Sequence, residues 1–578
     1  MPKPFHIIIS LPTYAYTFRR WCMGIGMAIG LVLTCSNAAL AQLEFKKYWI
    51  QFSDKNGTPY SLSSPENFLS EKALARRSQY GIALQNNDLP VNPSYIATVR
   101  DMGATVLYPS KWFNGVVVQV NDSATLLAIQ ELPFVQQTKA VAKKAGRIGG
   151  GNHQATNMPA SFKISGLDDE TDEDSLYYGT AKHQIEMMNG HLLHQNGLKG
   201  AGMTVAILDA GFSKVDVNPV FAQHFANGQI LGTRDFVDFD GYVYDHSSHG
   251  ANVFAIMGGN QPDFYVGAAP EADYWLIRTE EGSTETSIEE YNWVAGAEFA
   301  DSVGVDVINS SLGYSIFDYS YMNYTYEDMD GQVAIVTRGA DIAASKGILV
   351  VTSAGNQGNK AWQHITAPAD ADSVLTVGAV DSLAAYASFS SRGPSSDGRI
   401  KPNVVGQGHR TAYVNTAGAL EKGNGTSYSS PLVAGLATCL WQYDRTRNNR
   451  DIIRKIQQSA DRYLNPSDSV GYGLPNFGLA MQYLSTNLVE QFGKNAFVYP
   501  NPSNNDLTLY YYADQSEIIR YGLFSLSGQL LSEQNTQVIA NLPYQLDVKG
   551  WADLPEGIYL LQLQSHSQNK TLKAVKVR

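Results

Sequence analysis

The chain has 578 residues, of which 44% are hydrophobic and 17% charged, and a formal net charge of −12. That length exceeds what one hydrophobic core serves, so about three or four folded units are expected. The composition excludes a disordered chain, and the acidic balance, without any long basic block, excludes the basic face that nucleic-acid binding requires.

Residues 1–41 read as an export signal. Arg19 and Arg20 precede the apolar run Met23–Thr34, and Ala39-Leu40-Ala41 supplies small residues at a cleavage spacing, so Gln42 is the expected first residue of the exported chain. The run has the length of a signal core and falls short of a comfortable membrane span. No later stretch is apolar enough to make a stable span. Arg19-Arg20 alone is a thin twin-arginine signal. Leu33-Thr34-Cys35 lacks the small residue that lipid attachment at Cys35 wants. Cys22 and Cys35 leave with the signal, so Cys439 stands alone and no intrachain disulfide is expected. Its neighbours Ala437, Leu440 and Trp441 point to a buried structural thiol, whereas a nucleophile would want an electropositive, open site.

Residues 42–143 form a small α+β unit. KYWIQF alternates as a strand, FLSEKALARRSQYG is a helix closed by glycine, and SYIATVRDMGATV is a helix running into a strand. WFNGVVVQV, SATLLAIQEL and FVQQTKAV follow as strand, helix and strand. Residues 144–176 are rich in Gly, Asp, Ser and Lys and read as an exposed, protease-accessible linker.

Residues 177–483 change pattern. MTVAILDA, YWLIRT, VDVINSSLG, GILVVTSAGN and SVLTVGAV are apolar strands of the kind buried on both faces of a parallel sheet. ANVFAIMGG, SIEEYNWVAGAEFADSVG, VAIVTRGADIAASKG and YSSPLVAGLATCLWQYD are the helices between and after them. Strands alternating with helices give a parallel α/β sheet, with chemistry at the carboxyl ends of its strands. A linker is expected at 484–494. Residues 495–578 hold short strands separated by turns (VYPNPS, DLTLYYY, RYGLFSLSG, YQLDVKGW, GIYLLQLQ, TLKAVKV), a small β-sandwich pattern.

Four residues of the α/β unit stand out together. Asp209 finishes an apolar strand, and His249, followed by Gly250, opens a buried helix. Asn356 follows a strand between Gly355 and Gly358, where its amide can donate to a developing oxyanion. Ser427, in NGTSYSSPLVAG, opens a helix whose first N–H groups and dipole favour a negative oxygen. Taken singly, each has an ordinary reading: a strand-end turn, a polar surface residue, a turn asparagine, a serine N-cap.

Taken together, ILDAG, HGANV, SAGN and GTSYSSP, in the order Asp, His, Asn, Ser, resemble the motifs of the subtilisin-like serine proteases. NSSLG, TVGAVD and FSSRGPSSDGRIKPNVVGQG resemble the same family. The resemblance implies a subtilisin-like α/β catalytic domain at 177–483. Asp209, His249 and Ser427 would be its catalytic residues, Asn356 its oxyanion donor, and Ser311, Leu312, Gly313, Ala354 and Gly355 its substrate-binding wall. It also implies an apolar, permissive pocket with no fixed charge. The order differs from that of the α/β-hydrolases, and Ser429 stands where their G-x-S-x-G turn has its second glycine. Two positions depart from the family. Ala251 and Asn252 follow His249-Gly250 where a hydroxyl residue and often a histidine are usual, and Ala210 follows Asp209 where Ser or Thr is common. His246 lies before the helix start and reads as a solvated residue beside Asp245. The Tyr-rich stretch YSIFDYSYMNYTYED reads either as a loop over the cleft or as surface packing.

The flanking units fit the resemblance. Residues 42–143 resemble a subtilase propeptide, with maturation expected in the linker, and residues 495–578 resemble the sorting domain of the type IX secretion system. The resemblance implies protein or peptide substrates, the chain's own propeptide and the secretion machinery as partners, and a secreted or cell-surface location. No cofactor is expected; VDFDGYVYD suggests calcium only weakly, and no metal is assigned. Two alternatives stay open: a catalytically inactive subtilase-fold binding protein, and a C-terminal sandwich that binds carbohydrate.

Overall fold

In the computed structural model the described residues are 44–143, 177–484 and 496–577, the last with short breaks at 500, 505–506, 514, 541 and 567–568. The expected export signal, the linker 144–176 and, but for Leu484, the linker 484–494 lie outside them.

The N-terminal unit is a four-stranded antiparallel sheet in the order β2-β3-β1-β4, with β1 Phe45–Phe52, β2 Thr105–Ser110, β3 Gly115–Gln119 and β4 Val135–Lys143. Its helices, Glu71–Gln79, Pro93–Asp101 and Ser123–Gln130, begin on Ser70, Asn92 and Asp122, whose side chains accept the first orphan N–H groups. Side chains alternate across a strand. Ile50, Phe52, Val116 and Val118 therefore face the unit's own helices. Trp49 and Val117 point the other way, into a core shared with Tyr291, Trp293 and Ile308 of the next unit.

That next unit is built on a seven-stranded sheet ordered β13-β12-β11-β10-β5-β9-β6. The strands are β5 Thr204–Asp209, β6 Ile230–Asp235, β9 Asp273–Arg278, β10 Val307–Ser310, β11 Leu349–Ser353, β12 Leu375–Val380 and β13 Val404–Gln407. A two-residue ribbon, β7 Asn260–Gln261 and β8 Tyr265–Val266, lies apart from it, as does the hairpin β14 Thr411–Val414 with β15 Leu420–Gly423. All neighbours in the large sheet pair in parallel. β5 is buried at every position, as a parallel sheet covered on both faces requires. Val205 and Ile207 pack under the helices His249–Gly258 and Thr426–Tyr443, while Ala206 and Leu208 pack on the opposite face under Ile288–Val303 and Ile335–Ser345. β6 and β13 were not evident as strands in the sequence. β6 is a partly exposed edge without a clean apolar run, and β13 is only four residues long.

The N-terminal unit docks on the second of these faces through charge. Asp301, near the end of the Ile288 helix, is fully buried and meets Arg76 at 2.7 Å, Arg77 at 2.9 Å and Lys111 at 3.3 Å. Burial pushes the Asp301 carboxyl up, but Lys111, Arg77 and Arg76 outweigh it and hold it down at about 2. Arg76 also donates to the carbonyls of Val305 and Lys346, beyond the ends of two helices, where the helix dipoles favour a cation. Glu298, one helical turn before Asp301, accepts from the Ser110 hydroxyl and from the N–H groups of Lys111 and Trp112. Lys346 reaches back to Asp88 at 3.0 Å.

The C-terminal unit is a sandwich of two antiparallel sheets, β16-β17-β20 and β19-β18-β21-β22. Its strands are β16 Phe497–Tyr499, β17 Thr508–Ala513, β18 Glu517–Ser525, β19 Leu530–Val538, β20 Leu542–Asp547, β21 Gly557–Gln564 and β22 Asn569–Lys576. Leu509 and Tyr511 of one sheet pack with Leu523, Leu561 and Leu563 of the other around buried Trp551. β19, which the sequence reading missed, is polar and mostly exposed along its length.

Candidate active site

The parallel sheet brings the four singled-out residues to its carboxyl edge. Asp209 is the last residue of β5 and is fully buried. Its Oδ1 accepts from the His249 Nδ1 at 2.7 Å and from the Ala210 N–H at 2.7 Å. Its Oδ2 is buried and has no partner among the described residues. Ala210 and Ala251 bring no hydroxyl that could serve it.

His249 is the first residue of its helix, and its side chain is 21% exposed. Gly250 behind it is obligatory: a Cβ there would strike the Gly211 carbonyl and approach the Asp209 Cβ to 2.9 Å. Burial lowers the affinity of the His249 ring for a proton, but the Asp209 carboxylate, its hydrogen bond and, to a smaller degree, Glu280 outweigh burial, so the pKa lies above the ordinary 6.5. Asn252 is buried and hydrogen-bonds Tyr428, next to Ser427. The buried Cys439 thiol lies 3.3 Å from the Ala268 carbonyl, and burial pushes its pKa up, which makes it structural.

Ser427 is the second residue of the helix Thr426–Tyr443, so it is not an N-cap; Gly425, with a φ of 154°, takes that place. Its hydroxyl donates to the Ser311 carbonyl at 3.1 Å, and the Ser311 hydroxyl donates to the Ser427 carbonyl at 3.0 Å. No Ser427–His249 hydrogen bond is present among the described residues; in unliganded hydrolases such bonds are often long and tighten with substrate. Asn356 turns its Oδ1 to the Thr426 N–H at 2.8 Å and hydroxyl at 3.0 Å, which leaves Nδ2 as the outward donor. This Nδ2 would lie 3.7 Å from a Cβ placed on Gly425, at the mouth of the Ser427 helix.

Two glycines of the expected substrate wall share one neighbour that the motifs did not reveal. Gly313 and Gly355 both abut Thr366: a Cβ on Gly355 would come within 2.7 Å of the Thr366 hydroxyl, and one on Gly313 would collide with it. Thr366 is 2% exposed, and its hydroxyl has no partner among the described residues. A β-branched polar side chain therefore stands beside both glycines. The Tyr-rich stretch is mostly packing. Tyr314 and Phe317 are buried, the Tyr324 hydroxyl sits 2.9 Å from both Glu290 oxygens, and Tyr319 and Tyr321 stack edge-on against Phe45 of the N-terminal unit.

Three stretches of the chain match known protein families. Residues 200–473 match the subtilase family, 47–156 the Peptidase S8 propeptide domain of Bacteroidota, and 497–577 a secretion system C-terminal sorting domain. Subtilisin E of Bacillus subtilis (strain 168) is 31% identical over 312 residues, which cover 53% of this chain and 72% of that protein. The subtilisin of Bacillus pumilus is 32% identical, over 52% of this chain and 98% of its own. The chain belongs to the subtilase family. Among solved structures, the MycP3 protease of the type VII (ESX-3) secretion system aligns with a TM-score of 0.45 and 20% identity, over 57% of this chain and 93% of that one. The subtilase domain sits between a propeptide domain and a type IX sorting tail, the organisation of a serine protease made as a zymogen and sent to the cell surface or beyond. No helix among the described residues is long and apolar enough to cross a membrane.

Proposed function

We propose that this subtilase is a secreted serine endopeptidase that cleaves peptide bonds through an acyl-enzyme. The observation that carries this reading is the 2.7 Å bond from His249 Nδ1 to the buried Asp209 carboxylate. With Nδ1 donating to Asp209, Nε2 is left free to act as the base. The Ser427 hydroxyl attacks the substrate carbonyl carbon as its proton passes to His249 Nε2. Asn356 Nδ2 and the Ser427 N–H hold the oxyanion; loss of one such donor costs about a hundredfold or more in rate. The imidazolium then protonates the leaving amine, and water repeats the sequence on the ester. Residues 42–143 act as the inhibitory propeptide, and the linker 144–176 is cut on maturation. No cofactor takes part, and calcium stays unassigned.

One observation favours a second reading. Asp209 Oδ2 is buried without a partner, and the flanking Ala210 and Ala251 depart from the family, as they would in an inactive, binding member. A fluorophosphonate probe on the purified, processed protein separates the two. Labelling that Ser427→Ala abolishes supports the protease; absence of labelling leaves the binding protein.

A further inference from the structure

Four charged or titratable groups gather beside the active site without taking part in it. Asp235 ends β6, Asp238 follows in the loop, His246 stands three residues before His249, and Arg278 ends β9, in register with Asp209 on one side and Asp235 on the other. The ligand-type atoms of Asp235, Asp238 and His246 lie within 4.8 Å of one another, a grouping that could hold a divalent cation. A guanidinium takes that place. Arg278 Nη1 lies 2.9 Å from Asp235 Oδ2, 2.5 Å from Asp238 Oδ2 and 3.0 Å from His246 Nε2. His246 is thus not simply solvated: its side chain is 24% exposed and faces Arg278 as well as Asp245, the latter at 3.1 Å.

We propose that Arg278 is a positioning residue of the active site, acting through His246 and the loop 236–248 to hold His249 against Asp209. This rests on the proteolytic reading above. The loop carries His249 at its end, and Arg278 grips it at both ends: at Asp235 and Asp238 where it leaves the sheet, and at His246 where it returns. Between those grips the loop is laced to the segment that follows Asp209. The N–H groups of Phe212, Ser213 and Lys214 donate to the carbonyls of Val243, Ser247 and Tyr244 at 2.8, 3.1 and 2.8 Å. Gly211, at a φ of 141°, lets His246 approach; a Cβ there would come within 2.7 Å of the His246 Cβ. Ser247 then caps the turn into the catalytic helix, its hydroxyl accepting the His249 N–H at 3.1 Å. A shift of the loop moves the imidazole, and a misplacement of about 1 Å at a reacting group costs about a hundredfold in rate.

The clamp centres on one atom. One Nη carries two protons, yet Nη1 faces three acceptors, while the buried Arg278 Nε has no partner among the described residues. His246 and the two carboxylates therefore share one nitrogen, which serves two of them at a time, so a change at one alters the bonds of the others. An uncharged side chain at 278 would leave buried Asp235 without its cation, a large cost in itself. Lysine keeps the charge but lacks the planar fork.

The test is kcat and KM per active site, the sites counted by fluorophosphonate titration of the processed enzyme so that unfolded protein is not scored. Arg278→Met is expected to lower kcat about tenfold with KM within about twofold, because the lost interaction orients the base and does not bind substrate. Arg278→Lys is expected to recover part of that loss. His246→Ala keeps both carboxylate pairs and is expected to lower kcat about threefold; combined with Arg278→Lys, the losses should fall short of additive, as for residues in one network. If Arg278→Met fails to accumulate, the His246→Ala and Arg278→Lys pair decides. Titrated enzyme with unchanged kcat in these variants, or with fully additive losses, overturns the proposal and leaves the protease intact. An unsubstituted enzyme that does not titrate overturns both.

Discussion

Two buried aspartates in one domain are treated in opposite ways. Asp301, at the propeptide interface, has both oxygens met by Arg76, Arg77 and Lys111. Asp209, in the active site, has one oxygen met twice and the other not at all. At the interface the Asp301 carboxylate is answered by cations from across it. On the proteolytic reading, Asp209 must stay free of arginines, because a positive charge forms on His249 during the reaction. A carboxylate already neutralised by arginines would have little left to give that imidazolium.

The contrast can be broken most severely at the active site. Asp209→Asn keeps the shape and removes the charge; kcat is expected to fall about 10⁴-fold, measured on titrated enzyme. Asp301→Ala attacks the other side. It removes the carboxylate from Arg76 and Lys111 and leaves Arg77 with Asp88 alone, and the full-length Ser427→Ala zymogen, which on the proteolytic reading cannot process itself, is expected to lose about 3–5 kcal/mol in denaturant unfolding. Because the folded Asp301 carboxyl is held down at about 2, below its ordinary 3.8, its contribution is present above the ordinary value and is lost as pH falls toward 2. The interface variant should therefore differ from its parent at pH 7 and converge with it in strong acid.

Smaller effects sharpen the picture. Thr366→Gly is expected to open space beside Gly313 and Gly355 and raise kcat/KM for a peptide with Phe before the scissile bond about tenfold relative to Ala; an unchanged ratio would place Thr366 outside the pocket. The kcat/KM profile of the unsubstituted enzyme should fall tenfold per pH unit on its acid side, since the base must be neutral. Its midpoint should lie above 6.5, because Asp209 raises the His249 pKa. Ala210→Ser offers a hydroxyl beside the unmet Asp209 Oδ2 and is expected to raise kcat about two- to threefold.

What was legible in the sequence was local. Asp209, His249, Asn356 and Ser427 each stand at a strand end or helix start, and the backbone that presents them is written in the adjoining apolar runs. TVAILD and LVVTS are buried on both faces and so read as uninterrupted hydrophobic strings. β6 has no such string because it is an edge. Thr366 carries no motif, and the glycines at positions 313 and 355 meet it only in the fold. The Asp301 network joins residues 190 to 225 positions apart, and a buried charge pair leaves no periodicity behind. The Arg278 contact of His246 was hidden for the same reason: Asp245 is its neighbour in the chain as well as in space, whereas Arg278 meets it only in the fold.

The crossed bonds between Ser311 and Ser427 have a kinetic implication. On the proteolytic reading, the resting nucleophile is parked on the Ser311 carbonyl, a backbone acceptor on the wall along which a substrate strand would lie. An arriving peptide N–H competes for that oxygen, and the hydroxyl it evicts has His249 to turn to. On the proteolytic reading, the enzyme is then a lock whose bolt is drawn by the key. Water, which offers no extended backbone, leaves the serine idle, and short substrates that cannot reach the wall should be turned over slowly even when they bind.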